Sequence, residues 1–409
     1  MTLPGPYWRL WWSSAVDTVG DGALAAAVPL LAASATSDPR LVSLVSAAAY
    51  LPWLLLSLPA GVVVDRYDRV GLMWRAQVLR AAVVGTVAVL AAVGQVGVPV
   101  LAAMAFALGA GEVVFGNAAQ AVLPELVPAP LLPRANGVQY TVTTVGRLFL
   151  GPPAGSLLFA AAAALPFGLD AVSFALSAAL LRTLPHRPQR TVDRPSIAAG
   201  LRYLLGHRLL RTLALLLGVN TFCLQLGTVT LVLLATRTLH LGARGFGLLL
   251  AGAAVGSVVG GLVHARIAAR IGALPALVIA LAANVPVFVG IGLSPDAAVL
   301  GLLLALNGFL TTMWNVVTVS LRQQLVPAGL LGRVNSVYRL LGWGLIPVGA
   351  VAGGLLAHRF GLRVPYPVAG VLRGVALLVA LPALVRNCRW DGAGSPGSAP
   401  AAGEGEAHG

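Results

Sequence analysis

The stretch Gly61-Val62-Val63-Val64-Asp65-Arg66-Tyr67-Asp68-Arg69 stands between two apolar runs, 41–64 and 70–93. A helix needs roughly 20 mostly apolar residues to cross the hydrocarbon core of a bilayer. Each run meets that length. Charge is costly inside the core, so a short cluster of charges between two such runs reads as a turn at the membrane surface joining two antiparallel crossings.

Outward from this turn the same rhythm repeats. Apolar runs between charged or Pro/Gly breaks give twelve spans: 9–34, 41–64, 70–93, 98–122, 136–159, 167–183, 209–236, 245–268, 273–293, 297–321, 334–358 and 365–386. The stretch 136–183 has almost no polar loop but is too long for one crossing, and Leu165-Pro166-Phe167-Gly168 supplies the turn. The composition agrees: 58% apolar and 10% charged residues, against about 45–50% and about 25% in soluble domains. An ordinary soluble enzyme is excluded. An all-α polytopic membrane protein is expected, because a helix satisfies its own backbone hydrogen bonds in lipid.

The net charge of +14 comes entirely from arginine; lysine is absent. These arginines form no basic domain, so no nucleic-acid partner is expected. They sit in the gaps between spans, where basic residues set membrane orientation. With both termini cytoplasmic, the inner segments hold 18 arginines and the outer loops 5; Arg80, Arg147, Arg339 and Arg373 fall inside spans. A multi-pass protein of the cell (inner or plasma) membrane follows, its first apolar run too long and too interrupted by Asp17 and Asp21 for a cleavable signal. Cys223 and Cys388 are too few for a disulfide scaffold or a thiolate metal cage. The six scattered histidines form no ligand spacing, so neither metal nor cofactor is expected.

The longest connection, 184–208, is rich in Arg and Pro and divides the chain into an N-terminal six-helix bundle (1–183) and a C-terminal one (209–386). The tail 387–409 is small, polar and low in complexity, and is read as disordered and cytoplasmic. The halves echo each other. Leu126-Val127-Pro128-Ala129 recurs as Leu325-Val326-Pro327-Ala328, and Arg134/Arg333, Asn136/Asn335 and Gly155/Gly354 follow at the same offset. Gly61/Gly261 and Arg66/Arg266 form a second pair. Parallel six-helix repeats are an architecture of secondary transporters that hold substrate between the halves.

With these features the chain resembles the major facilitator superfamily. Gly61-x-x-x-Asp65-Arg66-x-x-Arg69 matches that family's G-x-x-x-D-R-x-x-R loop between spans two and three. Val19-Gly20-Asp21 with Val28-Pro29-Leu30-Leu31-Ala32, and Leu123-Pro124-Glu125-Leu126-Val127-Pro128 running into Arg134-Ala135-Asn136-Gly137, resemble the drug-, macrolide- and siderophore (enterobactin)-exporting branch. The resemblance implies a fold of twelve helices in two pseudo-symmetric bundles. It also implies a cytoplasmic gate made by Gly61, Asp65, Arg66 and Arg69, with Asp65 meeting the start of the eleventh span near Arg333 and Asn335. Gly61, lacking a side chain, is expected to let the second span approach a neighbour closely. Gly146 and Gly151-Pro152-Pro153-Ala154-Gly155 resemble the family's antiporter signature, but the first spacing is one residue too long and a final glycine is absent.

An ionisable group inside the membrane is a functional candidate by default. Glu112 and Arg147 fall at similar depth on consecutive antiparallel spans; the pair reads either as a protonation site or as a static bridge. Asp17 and Asp21 are four residues apart on one helix face. They suit proton coupling or capture of a cationic group; alternatively Asp21 pairs with Arg80 and Asp17 faces cytoplasmic water. Asp170 is expected near the outer face, capping or facing water. Arg339 and Arg373 are expected to snorkel. Tyr140, Asn220, Gln225, Trp314, Asn315, Tyr338 and Trp343 are candidates to line a cavity for an amphipathic molecule.

The functional expectation is a monomeric secondary transporter working by alternating access, a proton-coupled exporter of an amphipathic small molecule (drug, antibiotic, siderophore or other secondary metabolite). An importer or facilitator remains the alternative within transport. A non-transporting membrane sensor would need a cytoplasmic domain that 184–208 and the tail are too small to supply. No nucleotide-binding loop is present, so neither an enzyme nor an ATP-driven pump is expected.

Overall fold

The computed structural model describes residues 3–185 and 197–391. The secondary structure among them is helical. Helices α1 (Gly5–Ala35), α2 (Pro39–Arg66), α3 (Arg69–Ala92) and α4 (Val98–Leu126) form the first four crossings. The fifth is composite: α5 (Leu132–Thr144) runs through a π turn, Val145–Leu150, into α6 (Gly151–Ala161). Helix α7 (Leu165–Arg182) is the sixth. The second half repeats the order with α9 (Arg208–Leu233), α10 (Ala243–Ile271), α11 (Ala273–Leu293), α12 (Ala297–Leu325), α13 (Ala328–Gly344) with α14 (Ile346–Phe360), and α15 (Pro365–Asp391). Among the described residues eleven stretches are long and apolar enough to cross a membrane by themselves; the twelfth crossing is the composite fifth. The expected spans all fall on these helices. Helix α8 (Ile197–Gly206) lies within the expected central connection. Of the 387–409 tail, α15 takes the residues to Asp391, and 392–409 lie outside the described residues.

Short polar caps end the helices at the charged turns. Asp68 accepts a hydrogen bond from the Gly71 backbone N–H at 2.6 Å, and Asp296 one from Val299 at 2.9 Å. Each satisfies one of the amides that a helix start leaves unpaired. Between α10 and α11 a single residue, Gly272 at φ +89°, makes the turn. That left-handed backbone suits glycine.

The packing shows the repeat. Helix α1 packs on α6 and α7 as α9 does on α14 and α15; α2 packs on α4 as α10 does on α12; α3 packs on α7 as α11 does on α15. Glycines fix the register, because each lies where another backbone leaves no room for a Cβ. Gly109 abuts Ala49 as Gly308 abuts Ala253, an offset of 204 in the second helix (253 against 49) and 199 in the fourth (308 against 109). Gly155 abuts Ala23 as Gly353 abuts Leu226, an offset of 203 in the first helix (226 against 23) and 198 in the fifth (353 against 155).

Three sequence echoes are corrected by this register. Gly61 corresponds to Ala265 rather than Gly261. Arg66 corresponds to Arg270, one helical turn beyond Arg266. Gly155 corresponds to Gly353 rather than Gly354, because the fifth span holds one residue more than the eleventh. That residue is taken up by the π turn, where the Gly151 N–H donates to the Gly146 carbonyl five residues back. The same turn explains the stretched Gly146–Gly151 spacing. Both glycines remain on the face that meets α1, Gly146 against Thr18 and Gly151 against Gly22.

The end of the bundle carrying the start of α1 and the end of α15 is here the near face; the other is the far face. Toward the far face the halves meet along α2–α14 and α6–α10. There Gly354 lies against Ser43 and Gly247 against Ser156, the same pairing used reciprocally. Arg237 Nη2 also donates to the Ala33 carbonyl at 3.2 Å.

Candidate functional site

At mid-depth in the first half, four helices bring charge together. Glu112 is the central residue of α4. Asp21 accepts from Arg80 Nη2 at 2.8 Å on one oxygen and from Arg147 Nη2 at 2.9 Å on the other. Glu112 faces the same two guanidiniums, 3.0 Å from Arg80 Nη1 and 3.4 Å from Arg147 Nη2. Two carboxylates and two guanidiniums thus close a ring. The Glu112–Arg147 pair and the Asp21–Arg80 pair, which the sequence offered as separate possibilities, are sides of one structure.

Arg80 is held by its two terminal nitrogens and its planar face. It is 2% exposed, donates to Gln77 Oε1 at 3.0 Å and lies over the Phe174 ring at 4.0 Å. Gln77 passes the chain on to Ser177 and Ser13. Arg147 is presented by the π turn, which shifts its side chain relative to a regular helix and leaves it 42% exposed toward the cavity.

Asp17 does not face cytoplasmic water, the alternative that the sequence left open for it. It is buried, with one oxygen 3.9 Å from Arg80 and the other without a hydrogen-bond partner. Asp170 is likewise not a water-facing cap. It is fully buried and pressed against Gly20, with Oδ1 accepting from Ser173 and Oδ2 unpartnered. The missing side chain of Gly20 is what lets α7 bring Asp170 inward, beside Asp21. Four buried carboxylates therefore lie around two guanidiniums, and only Asp21 and Glu112 bridge both. An uncompensated charge is expensive in a low-dielectric interior.

The ring forms part of the wall of a cavity of about 590 Å³ between the halves. The rest of the lining is mainly apolar, with Leu24, Val28, Leu108 and Leu250, and with Tyr50, Trp53, Gln225 and Trp343 among its aromatic and polar members. Trp53 is the α2 lining residue nearest the near face; it stacks on Trp343 of the opposite half, with centroids 4.8 Å apart. Tyr50, Trp53 and Gln77 were not singled out from the sequence. Their only signal is spacing: Tyr50 with Trp53, and Gln77 with Arg80, are each three residues apart on one helix face.

The remaining candidates separate. Gln225 and Trp343 line the main cavity, whereas Asn220, Trp314 and Asn315 line a smaller one in the second half. Tyr140 is 73% exposed and lines neither. Tyr338 is buried, its hydroxyl donating to the Leu210 carbonyl at 2.7 Å. Arg339 is exposed and donates to Gln120 across the halves at 3.3 Å. Arg373 does not snorkel: it is 7% exposed, because Asn284 and the Asn220 carbonyl accept its hydrogen bonds inside the bundle.

In the gate motif, Arg69 pairs with Glu125 and donates to the Ala121 carbonyl, tying α3 to the end of α4. The two motif-bearing stretches therefore meet. Arg66 is exposed. Gly61 makes no close approach, since a Cβ there would meet nothing within 4 Å; α2 stands clear of its neighbours at that point. The side chains of Asp65 and Arg333 lie outside the described residues, and Asn335 Oδ1 is buried without a partner. Among the described residues no three His, Cys, Asp or Glu side chains are placed to hold a metal ion.

The sequence profile of a family described as "Transmembrane secretion effector" matches residues 6–396. The chain belongs to this family of major facilitator transporters. It is 30% identical over 231 residues to the multidrug efflux pump Tap of Mycobacterium tuberculosis, covering 52% of this chain and 54% of that protein. It is 24% identical over 153 residues to macrolide efflux protein A of Streptococcus pyogenes, covering 37% and 38%. The chain thus spans about half the length, or less, of the curated relatives it matches. In fold it is similar to the nucleoside transporter NupG, with TM-score 0.73 at 12% identity over 94% of this chain and 100% of that one. A bacterial homologue of the iron transporter ferroportin in an inward-facing state gives TM-score 0.73 at 17% identity, over 95% and 100%.

Proposed function

We propose that this transporter exports an amphipathic small molecule in exchange for protons, by alternating access and as a monomer. The observation that carries the proposal is the ionic ring of Asp21, Glu112, Arg80 and Arg147 at the wall of the main cavity, with two more buried carboxylates, Asp17 and Asp170, behind it. A proton entering from one side neutralises a carboxylate there and frees a guanidinium contact. A substrate with a cationic or hydrogen-bonding group competes for the same carboxylates. Binding of one then disfavours the other, which is the coupling an exchanger needs. In this reading Asp21, Glu112 and Asp17 carry the proton, with Arg147 as the partner that moves.

The apolar and aromatic lining suits a bulky organic molecule, as pockets of this size are mostly apolar with a few polar groups. Efflux as the direction is supported by the names of the relatives. The arginine distribution supports cytoplasmic termini in the cell membrane. The near face is then cytoplasmic, and Asp65 with Arg66 and Arg69 gates it against the region of Arg333 and Asn335.

Inverted membrane vesicles test the proposal. An acid-inside gradient should drive accumulation of a fluorescent amphipathic cation such as ethidium, and nigericin should collapse it. A macrolide and a catecholate siderophore added as competitors rank the substrate classes. Accumulation that persists unchanged after the proton gradient is collapsed would falsify the coupling.

A further inference from the structure

We infer that the second half holds an anion site, centred on Arg373, that takes a small carboxylate or the carboxylate end of a larger molecule. The site is the smaller cavity, about 90 Å³, lined among others by Asn220, Leu224, Asn284, Thr311, Trp314 and Arg373.

The repeat register shows what this cavity is. With the offset of 203 for the first helix, Asp17 corresponds to Asn220 and Asp21 to Leu224. With 199 for the fourth, Glu112 corresponds to Thr311. Helices α3 and α11 begin 204 residues apart, at Arg69 and Ala273, so Arg80 corresponds to Asn284. Helices α7 and α15 begin 200 apart, at Leu165 and Pro365, so Ser173 corresponds to Arg373. The cavity is the counterpart of the ionic ring, with every carboxylate replaced by a neutral residue. One guanidinium remains, supplied from the helix that carries Ser173 in the first half.

That guanidinium has no counter-charge. Among the described residues no carboxylate stands within salt-bridge distance of it, and its partners are the Asn284 side-chain oxygen, the Asn220 carbonyl at 2.9 Å, the buried Cys223 thiol and the Phe288 ring at 3.8 Å. Its Nε is buried without any partner. A cation desolvated to this degree without a counter-ion is costly, and an arginine stays charged. The planar guanidinium matches a carboxylate in shape and hydrogen bonding. Asn307 draws in Asn284 Nδ2 at 3.3 Å and the Thr311 hydroxyl at 3.4 Å, so the polar part of the wall carries no charge besides Arg373, and Leu217, Leu281 and Leu310 make much of the rest apolar. The volume admits a small anion or a terminal group, not a whole drug-sized molecule.

Trp314 lines the site and reports on it. Iodide quenching of the purified full chain is measured with and without Trp314→Phe, the difference isolating Trp314. The expected result is a saturable iodide component that sodium acetate displaces and acetamide does not. Asn284→Asp sets a carboxylate beside Arg373 with almost no change of shape, and should weaken that component at least tenfold, as should Arg373→Gln. Acrylamide quenching, which needs no charge, should be unchanged in a folded Asn284→Asp protein. If decanoate displaces iodide at lower concentration than acetate, the occupant is the end of an amphipathic molecule. Equal displacement makes it a small free anion, and both results support the site. Absence of a saturable component, displacement by acetamide, or an unaltered component in Asn284→Asp overturns it.

Discussion

Trp53 of α2 and Trp343 of α13 stack across the two halves, their ring planes 25° apart and their centroids 4.8 Å apart. The stack sits at the near-face end of the main cavity. It is a contact that rocking the halves apart on that side must break. A stacked aromatic pair is worth about 0.5–1.5 kcal/mol beyond its area. Losing it should therefore shift the balance between open and closed near-face states by roughly 2- to 13-fold. Trp53→Ala is expected to increase near-face accessibility, read as spin-label distances between α2 and α13. An unchanged distance distribution would leave the stack as packing alone.

The ionic ring makes a sharper demand. Asp21 touches both guanidiniums, so Asp21→Asn should abolish gradient-driven transport and also loosen Arg147. Glu112→Gln removes a longer pair of contacts and should abolish uphill transport while sparing downhill exchange. Transport assays with and without a pH gradient separate the two. Full gradient-driven activity in Asp17→Asn, Asp21→Asn and Glu112→Gln alike would make the ring structural.

The crossing of α1 over the π turn leaves no room. A Cβ on Gly22 would stand 2.8 Å from Gly151 Cα and 2.9 Å from the Arg147 carbonyl. Overpacking of this kind costs typically about 1–3 kcal/mol. Gly22→Val should lower the thermal unfolding midpoint and misplace Arg147. Gly61→Ala, where a Cβ meets open space, should leave the midpoint unchanged.

Orientation is open to a direct check. In a background lacking Cys223 and Cys388, a cysteine at Gln95, in the turn between α3 and α4, should react with an impermeant thiol reagent outside intact cells. A cysteine at Arg208, at the start of α9, should not. The reverse pattern would place the termini outside.

The gate motif yields its own expectation. Asp65→Asn should slow transport and raise cytoplasmic accessibility without changing which substrates bind, because a carboxylate at a helix N-terminus is worth about 0.3–1 kcal/mol. Arg69→Ala should be more damaging to folding yield, since Arg69 ties α3 to Glu125 and the Ala121 carbonyl. Expression level and transport rate of the two variants, measured together, distinguish a gate from a brace.

The sequence by itself determined the twelve crossings, the division of the fold into two related halves and the charged residues that had to be explained. Hydropathy and span length are local properties of the chain, and the bilayer reads them as such. Which charges meet is decided by how helices rotate and cross, and that depends on distant residues. Gly20 admits Asp170 beside Asp21; the π turn swings Arg147 into the cavity; Gly155 and Gly353 set the register that equates Asp17 with Asn220. Asp170, Arg373 and Tyr338 were misread for that reason: depth along one helix is legible in sequence, but the side of the helix that meets a neighbour is fixed only when backbones close to contact distance.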